Sequence, residues 1–131
     1  MNLIPQKEPF VMVDTLVNYT ETTLEATFTV PESAVFSYEG YFLEGGIIEH
    51  MAQSVALHTG YAYFLRNEEP PTGYIGAINE VEIAFLPRVG DKLESKVEIL
   101  QEFNGITLVD IQTFVSGKYL ARAKMKTVIA T

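Results

Sequence analysis

The sequence predicts an α+β domain in which one long central helix is wrapped by a curved antiparallel sheet of about six strands. Three observations carry this expectation. Residues 45–66 are a long proline-free stretch of helical composition, and its apolar residues fall all round the helical wheel. Segments on either side alternate apolar and polar residues with a period of two. Those segments are joined mostly by short turns, which favour antiparallel pairing. A helix that is apolar on every side has to be covered on every side. A curling sheet covers most of it, and a second subunit would cover the remainder.

The elements follow in chain order. Residues 11–19, VMVDTLVNY, hold several β-branched side chains and are predicted as a strand. In residues 23–30, Leu24, Ala26, Phe28 and Val30 alternate with Thr23, Glu25, Thr27 and Thr29, the pattern of a half-buried strand. Asn18, Thr20 and Glu21 supply the turn before it, and Pro31 ends it. Residues 31–44 are read as a loop carrying Phe36, Tyr38, Tyr41 and Phe42. The helix stops in RNEEPPTG, residues 66–73, where charge gives way to Pro70-Pro71 and then Gly73. Further strands are predicted at 74–86, 92–100, 106–115 and 118–130. PRVGD at 87–91, Asn104-Gly105 and Ser116-Gly117 turn the chain between them, and Asn-Gly is the strongest short hairpin signal.

At 131 residues the chain is read as a single domain, 1–131, large enough to bury a sizeable core. The absence of cysteine removes disulfides, a thiolate nucleophile and thiolate metal ligands. A net charge of -8 argues against nucleic-acid binding and against anionic membranes. The N-terminus lacks the basic start and apolar run of a signal peptide, and the most apolar window, 47–65, contains Glu49, His50, Gln53 and His58. A cytoplasmic protein with no membrane span is the expectation.

The unusual stretch is GYFLEGGIIEHMAQS, residues 40–54, which sets an acid and an imidazole side by side in an otherwise apolar segment. On a helix Glu49 and His50 diverge by roughly 100°, so they do not face each other. Gln53, four residues on, shares the face of Glu49 and could orient it. His58 points to about the opposite side, so these groups do not converge on a metal. The plainer reading of Glu49 is a buried acid bonded to backbone, and of His50 and His58 structural histidines. Tyr61, Tyr63 and Phe64 read as packing. Lys118, Arg122, Lys124 and Lys126 share one parity of the last strand and are expected on one face, as solvated edge protection or as a docking patch for phosphates.

Three segments together resemble the hotdog-fold 3-hydroxyacyl-ACP dehydratases. IPQKEPFVMVD at 4–14 is similar to the opening of that family, with Pro5, Pro9, Phe10, Val13 and Asp14 matching and Gln6 standing where the family has histidine. IIEHMAQS at 47–54 resembles the motif of the central helix, and IGAINEVEIAFLPRVGD at 75–91 the strand and Pro-x-x-Gly-Asp turn that follow. SVALHTG at 54–60 leans toward the dehydratase-like proteins of aryl-polyene pigment pathways. The resemblance implies a hotdog fold, at least a dimer with acyl sites at the subunit boundary, and a 3-hydroxyacyl substrate carried by ACP or CoA. It implies no cofactor and no metal.

By the same resemblance Glu49 is the acid, Gln53 its orienter, and the backbone N–H groups beside Gly45 and Gly46 donors to the thioester carbonyl. Desolvation in an apolar helix suits a carboxyl to the acid role. Phe10, Tyr38 and Tyr41 are candidates to line the substrate site, and the basic face of the last strand a candidate for carrier docking. One departure matters: the family's upstream histidine base falls at Val35, and no histidine occurs in residues 1–49. The base would come from elsewhere, such as His50 of a second subunit, with Tyr38 and Tyr41 better suited as hydrogen-bond donors. Two alternatives follow. One is an acyl-thioester thioesterase of the same fold. The other is a catalytically silent acyl-binding subunit that completes the site of an active paralogue.

Overall fold

The structure, a computed structural model, describes residues 3–71 and 73–129. The chain runs β1 (Thr15–Tyr19), β2 (Thr23–Thr29), β3 (Ser37–Tyr38), β4 (Tyr41–Phe42), α1 (Glu44–Leu65), β5 (Gly73–Ile83), β6 (Lys92–Phe103), β7 (Ile106–Val115) and β8 (Lys118–Ile129). Six strands form one antiparallel sheet in the order β1-β2-β6-β7-β8-β5, and β3 and β4 make a separate small hairpin. This is the hotdog fold, with α1 lying against the inner face of the sheet and touching β2, β5, β6 and β7. No described helix is long and apolar enough to cross a membrane.

The period of two decides which residues enter the core. Leu93, Val97, Val109, Ile111, Ala123 and Met125 point inward against Ile47, Met51 and Leu57 of α1. Each large aliphatic side chain buried this way contributes roughly 1.5–3 kcal/mol. Three polar residues share this inward parity, Ser95 on β6 and Thr107 and Thr113 on β7, and Ser95 and Thr113 are fully buried.

Three expectations are corrected by the ladder. The first strand begins at Thr15, because the backbone of residues 10–12 is bonded by side chains of α1 instead of by a neighbouring strand. The predicted loop of 31–44 contains the β3–β4 hairpin, turned by Glu39 and Gly40 in the left-handed region. On β8, Thr113 pairs with Ala121 but Phe114 pairs with Tyr119, so Leu120 is an extra residue, a β-bulge. The bulge reverses the parity. Tyr119, not Lys118, shares the outer face with Arg122, Lys124 and Lys126.

Bulges also shape β5, which lies at one edge of the sheet. Its register against β8 slips between Ile75 and Ala77 and again between Asn79 and Glu82. These slips bring Ile75, Ile78 and Ile83 opposite the inward positions Thr127, Met125 and Ala121. Ile75, Ile78 and Val81 stay 40, 38 and 39% exposed. The result is an apolar strip beside an unpaired strand edge.

Gly60 lets the N-terminal segment lie on the helix. A methyl group at this position would collide with the carbonyl oxygen of Leu3. Gly60→Ala gains about 1 kcal/mol in helix propensity, but the obstacle is backbone and has to be forced away, at about 2–3 kcal/mol. The expected outcome is a net loss of about 1–2 kcal/mol. Urea denaturation measures it, and an unchanged or raised midpoint contradicts the close approach.

Candidate active site

The chain enters α1 through Leu43, whose φ of -80° and ψ of 167° make it the N-cap without a side-chain capping bond. The donors left over at this end were expected beside Gly45 and Gly46. The amide of Gly46 is already given to the Leu43 carbonyl at 2.9 Å, and that of Ile47 to the same oxygen at 3.2 Å. Gly46 is buried, and a Cβ there would run into the Phe42 ring. Glu44 and Gly45 are exposed at the start of the helix, so the available amides are theirs, one and two residues before Gly46.

One turn into the helix, Glu49 is half-buried. Its Oε2 accepts a hydrogen bond of 2.8 Å from Gln53 Nε2. The second N–H of that amide goes to the Phe10 carbonyl at 2.7 Å, and Gln53 Oε1 accepts the Met12 amide at 2.6 Å. All three hydrogen-bonding groups of the Gln53 amide are therefore committed, which fixes its orientation. Thus α1 supplies Glu49 and Gln53 on one face, and the segment before β1 locks them from outside.

His50 occupies a different place. It is sealed in the interior between α1 and the sheet, stacked on Phe28 at 5.8 Å between ring centroids. Its Nδ1 lies 2.6 Å from the Met12 carbonyl and its Nε2 2.8 Å from Ser95 Oγ. Ser95 Oγ in turn lies 2.6 Å from Thr113 Oγ1. Burial pushes the imidazole down to about 4, against the weaker opposing pull of the Met12 carbonyl. With both nitrogens taken and no exposed surface, this ring has nothing to present to a substrate. The base expected from His50 is not available, for that physical reason.

The remaining candidates lie apart. His58 meets the Thr20 carbonyl at 3.0 Å and packs on Tyr19 at 5.0 Å; burial lowers its pKa. Phe10 touches the site through its carbonyl while its ring is exposed. Tyr38 is exposed at the tip of the hairpin, and Tyr41 accepts a 2.6 Å bond from Arg88 Nη2. On β8, Arg122 is bonded to Asp110 at 3.1 Å and Lys124 to Glu80 at 3.3 Å. Lys118 sits over the Phe85 ring at 4.5 Å, away from that row. The four basic residues are neither one face nor, for two of them, uncompensated charge.

Ser95, Thr113 and the Met12 backbone are site components that the pattern reading passed over. The available signal was parity: Ser95 falls between Leu93 and Val97, and Thr113 between Ile111 and Val115, in the apolar register of their strands. Val35, where the resemblance places a histidine, borders a hollow of about 250 Å³ lined by Pro9, Met12, Asp14, Phe28 and Ala34. Glu49 is not among the residues of that hollow.

A half-buried, oriented helix carboxylate in a hotdog fold is an arrangement suited to acyl-thioester chemistry. The profile of the ApeP-like dehydratases matches residues 1–131, and the chain belongs to that family. It is 31% identical to the 3-hydroxyacyl-[acyl-carrier-protein] dehydratase FabZ of Haemophilus ducreyi, an alignment that covers 95% of this chain and 84% of the relative. FabZ of Nitratiruptor is 26% identical, with 97 and 92% covered. Among solved structures, the dehydratase heterocomplex ApeI:P from Xenorhabdus doucetiae superposes with a TM-score of 0.91 at 18% identity, covering 98% of this chain and 89% of that one. A hypothetical thioesterase with coenzyme A from Streptococcus pneumoniae shares the fold, with a TM-score of 0.73 at 14% identity and 88 and 84% covered. The chain is a 3-hydroxyacyl-ACP dehydratase-like protein of the hotdog fold.

Proposed function

We propose that this chain supplies the acid half of a dehydratase site whose base comes from a second, histidine-bearing subunit. The observation that carries the reading is the pairing of an oriented Glu49 with a chain that has no accessible histidine of its own: His50 is sealed, His58 is bonded to Thr20, and Val35 stands at the family's histidine position. In the reaction the partner's base removes a proton from C2 of a 3-hydroxyacyl thioester. The electron pair forms the C2–C3 double bond as the C3–O bond breaks, and the Glu49 carboxyl gives its proton to the leaving hydroxyl, which departs as water. Charge gathering on the thioester oxygen meets the free amides at the start of α1.

The edge of β5 supports the choice of a paralogous partner. A strand added there would cover the apolar strip of Ile75, Ile78 and Val81 and close the exposed face of α1. The ApeI:P assembly is a dehydratase heterocomplex, and its likeness to this chain favours a paralogue over a second identical copy, which would bring no histidine either.

The test is reconstitution. The chain is co-expressed with a histidine-bearing dehydratase paralogue from its source organism. The complex, and each subunit alone, is given 3-hydroxyacyl substrate on ACP and on CoA, and products are followed by mass. The expected result is a 2-enoyl thioester from the complex and none from this chain alone. Turnover by this chain alone removes the partner from the reading. Release of free thiol in place of the enoyl product makes it a thioesterase.

A further inference from the structure

The geometry points to His50 as a positioning residue for Glu49, acting through the backbone of residues 10–12 and Gln53 and never touching substrate. The functional half of this inference rests on the acid role proposed for Glu49.

Hydrogen-bond logic assigns every proton in the network. The Met12 carbonyl can only accept, so His50 Nδ1 carries the hydrogen. Nε2 of the neutral ring is then a bare acceptor, and the Ser95 hydroxyl donates to it. With its own proton committed, Ser95 Oγ accepts from Thr113 Oγ1. The chain of donors runs one way, from β7 through β6 into the helix, and ends at the Met12 carbonyl.

The other side of Met12 continues it. The Met12 amide donates to Gln53 Oε1, and the Gln53 amide nitrogen donates to Phe10 and to Glu49. Both polar groups of one residue's backbone are thus gripped by two side chains of α1, three positions apart on the helix. Gln53 cannot turn without releasing Met12, and Met12 is held in register by His50. A histidine retained only for packing needs no such matching, because an apolar side chain of similar size fills the space without unsatisfied nitrogens. Ser95 and Thr113, fully buried on the inner face, bond each other and the His50 ring.

Three variants test it in the complex with the histidine-bearing subunit. His50→Leu fills the cavity but makes neither bond. His50→Asn keeps an N–H close to the Nδ1 position. Ser95→Ala removes the donor to Nε2 and is the milder change. The expected result for His50→Leu is a kcat lowered about 10–100-fold, as misplacement of a reacting group produces, with KM changed by less than about threefold. Hydrogen exchange of the backbone amides around Met12 accelerates in the same variant. His50→Asn recovers most of both, and Ser95→Ala falls between. Unchanged kcat together with unchanged exchange at Met12 in folded His50→Leu overturns the inference; should His50→Leu fail to fold, the same pair of unchanged readings in Ser95→Ala overturns it. An inactive wild-type complex would remove the dehydratase reading instead, while exchange at Met12 still decides whether His50 holds this segment.

Discussion

Glu49→Gln lowers enoyl formation by the complex with its histidine-bearing partner by about 10²–10⁴-fold, the range for losing a positioned general acid. The substitution changes little else. An amide has the shape of the carboxyl, and its carbonyl oxygen can still accept the Gln53 hydrogen bond seen at 2.8 Å. What it cannot do is give a proton to the leaving hydroxyl. Because the lost interaction exists only as the C3–O bond breaks, kcat and kcat/KM fall together while KM stays close to its wild-type value. Product formation followed by mass, with the melting temperature as a control for folding, measures this. Equal rates for the two proteins would remove Glu49 from the chemistry, whatever partner is present.

Acid destabilises the fold through His50. Its folded-state pKa, lowered by burial to about 4, lies below the ordinary value of 6.5 that it recovers on unfolding. The unfolded chain therefore binds the proton more readily. Stability from this residue is complete above pH 6.5 and is lost as the pH falls toward 4. Over that interval the loss amounts to about 3 kcal/mol. His58, also lowered by burial, adds in the same direction. Carboxylates titrate over the same range, so the measurement compares urea midpoints of wild type and His50→Gln at pH 7 and pH 4. Wild type is expected to lose about 3 kcal/mol more than the variant. Parallel losses would mean that the ring is protonated in the folded state.

Much of this architecture is readable without coordinates, because hydrophobic period reports burial directly. The alternation in residues 92–100 and 106–115 placed those strands, and the all-round apolar helix required wrapping. Where the reading went astray, a local irregularity intervened. The extra Leu120 turned Lys118 off the basic row. Residues 10–12, β-rich in composition, are bonded by side chains of α1 instead of by a strand. Bulges on β5 converted a spacing that is not a strand pattern into one apolar face. A bulge depends on how two strands meet, so neither strand's own sequence reveals it.

The sequence by itself determined that an acid and its amide neighbour share one helix face, since 3.6 residues per turn leave Glu49 and Gln53 no other relation. It determined too that no histidine precedes the helix. Only the tertiary structure decided the fate of His50. Adjacent in sequence, it and Glu49 are separated by the turn of the helix, which sends the acid to the open side and the imidazole into the sheet. There the hydroxyl of Ser95, 45 residues away along the chain and itself bonded by Thr113, takes up its second nitrogen. Such a partner is supplied by strand register, a property of the assembled sheet, and no local pattern encodes it.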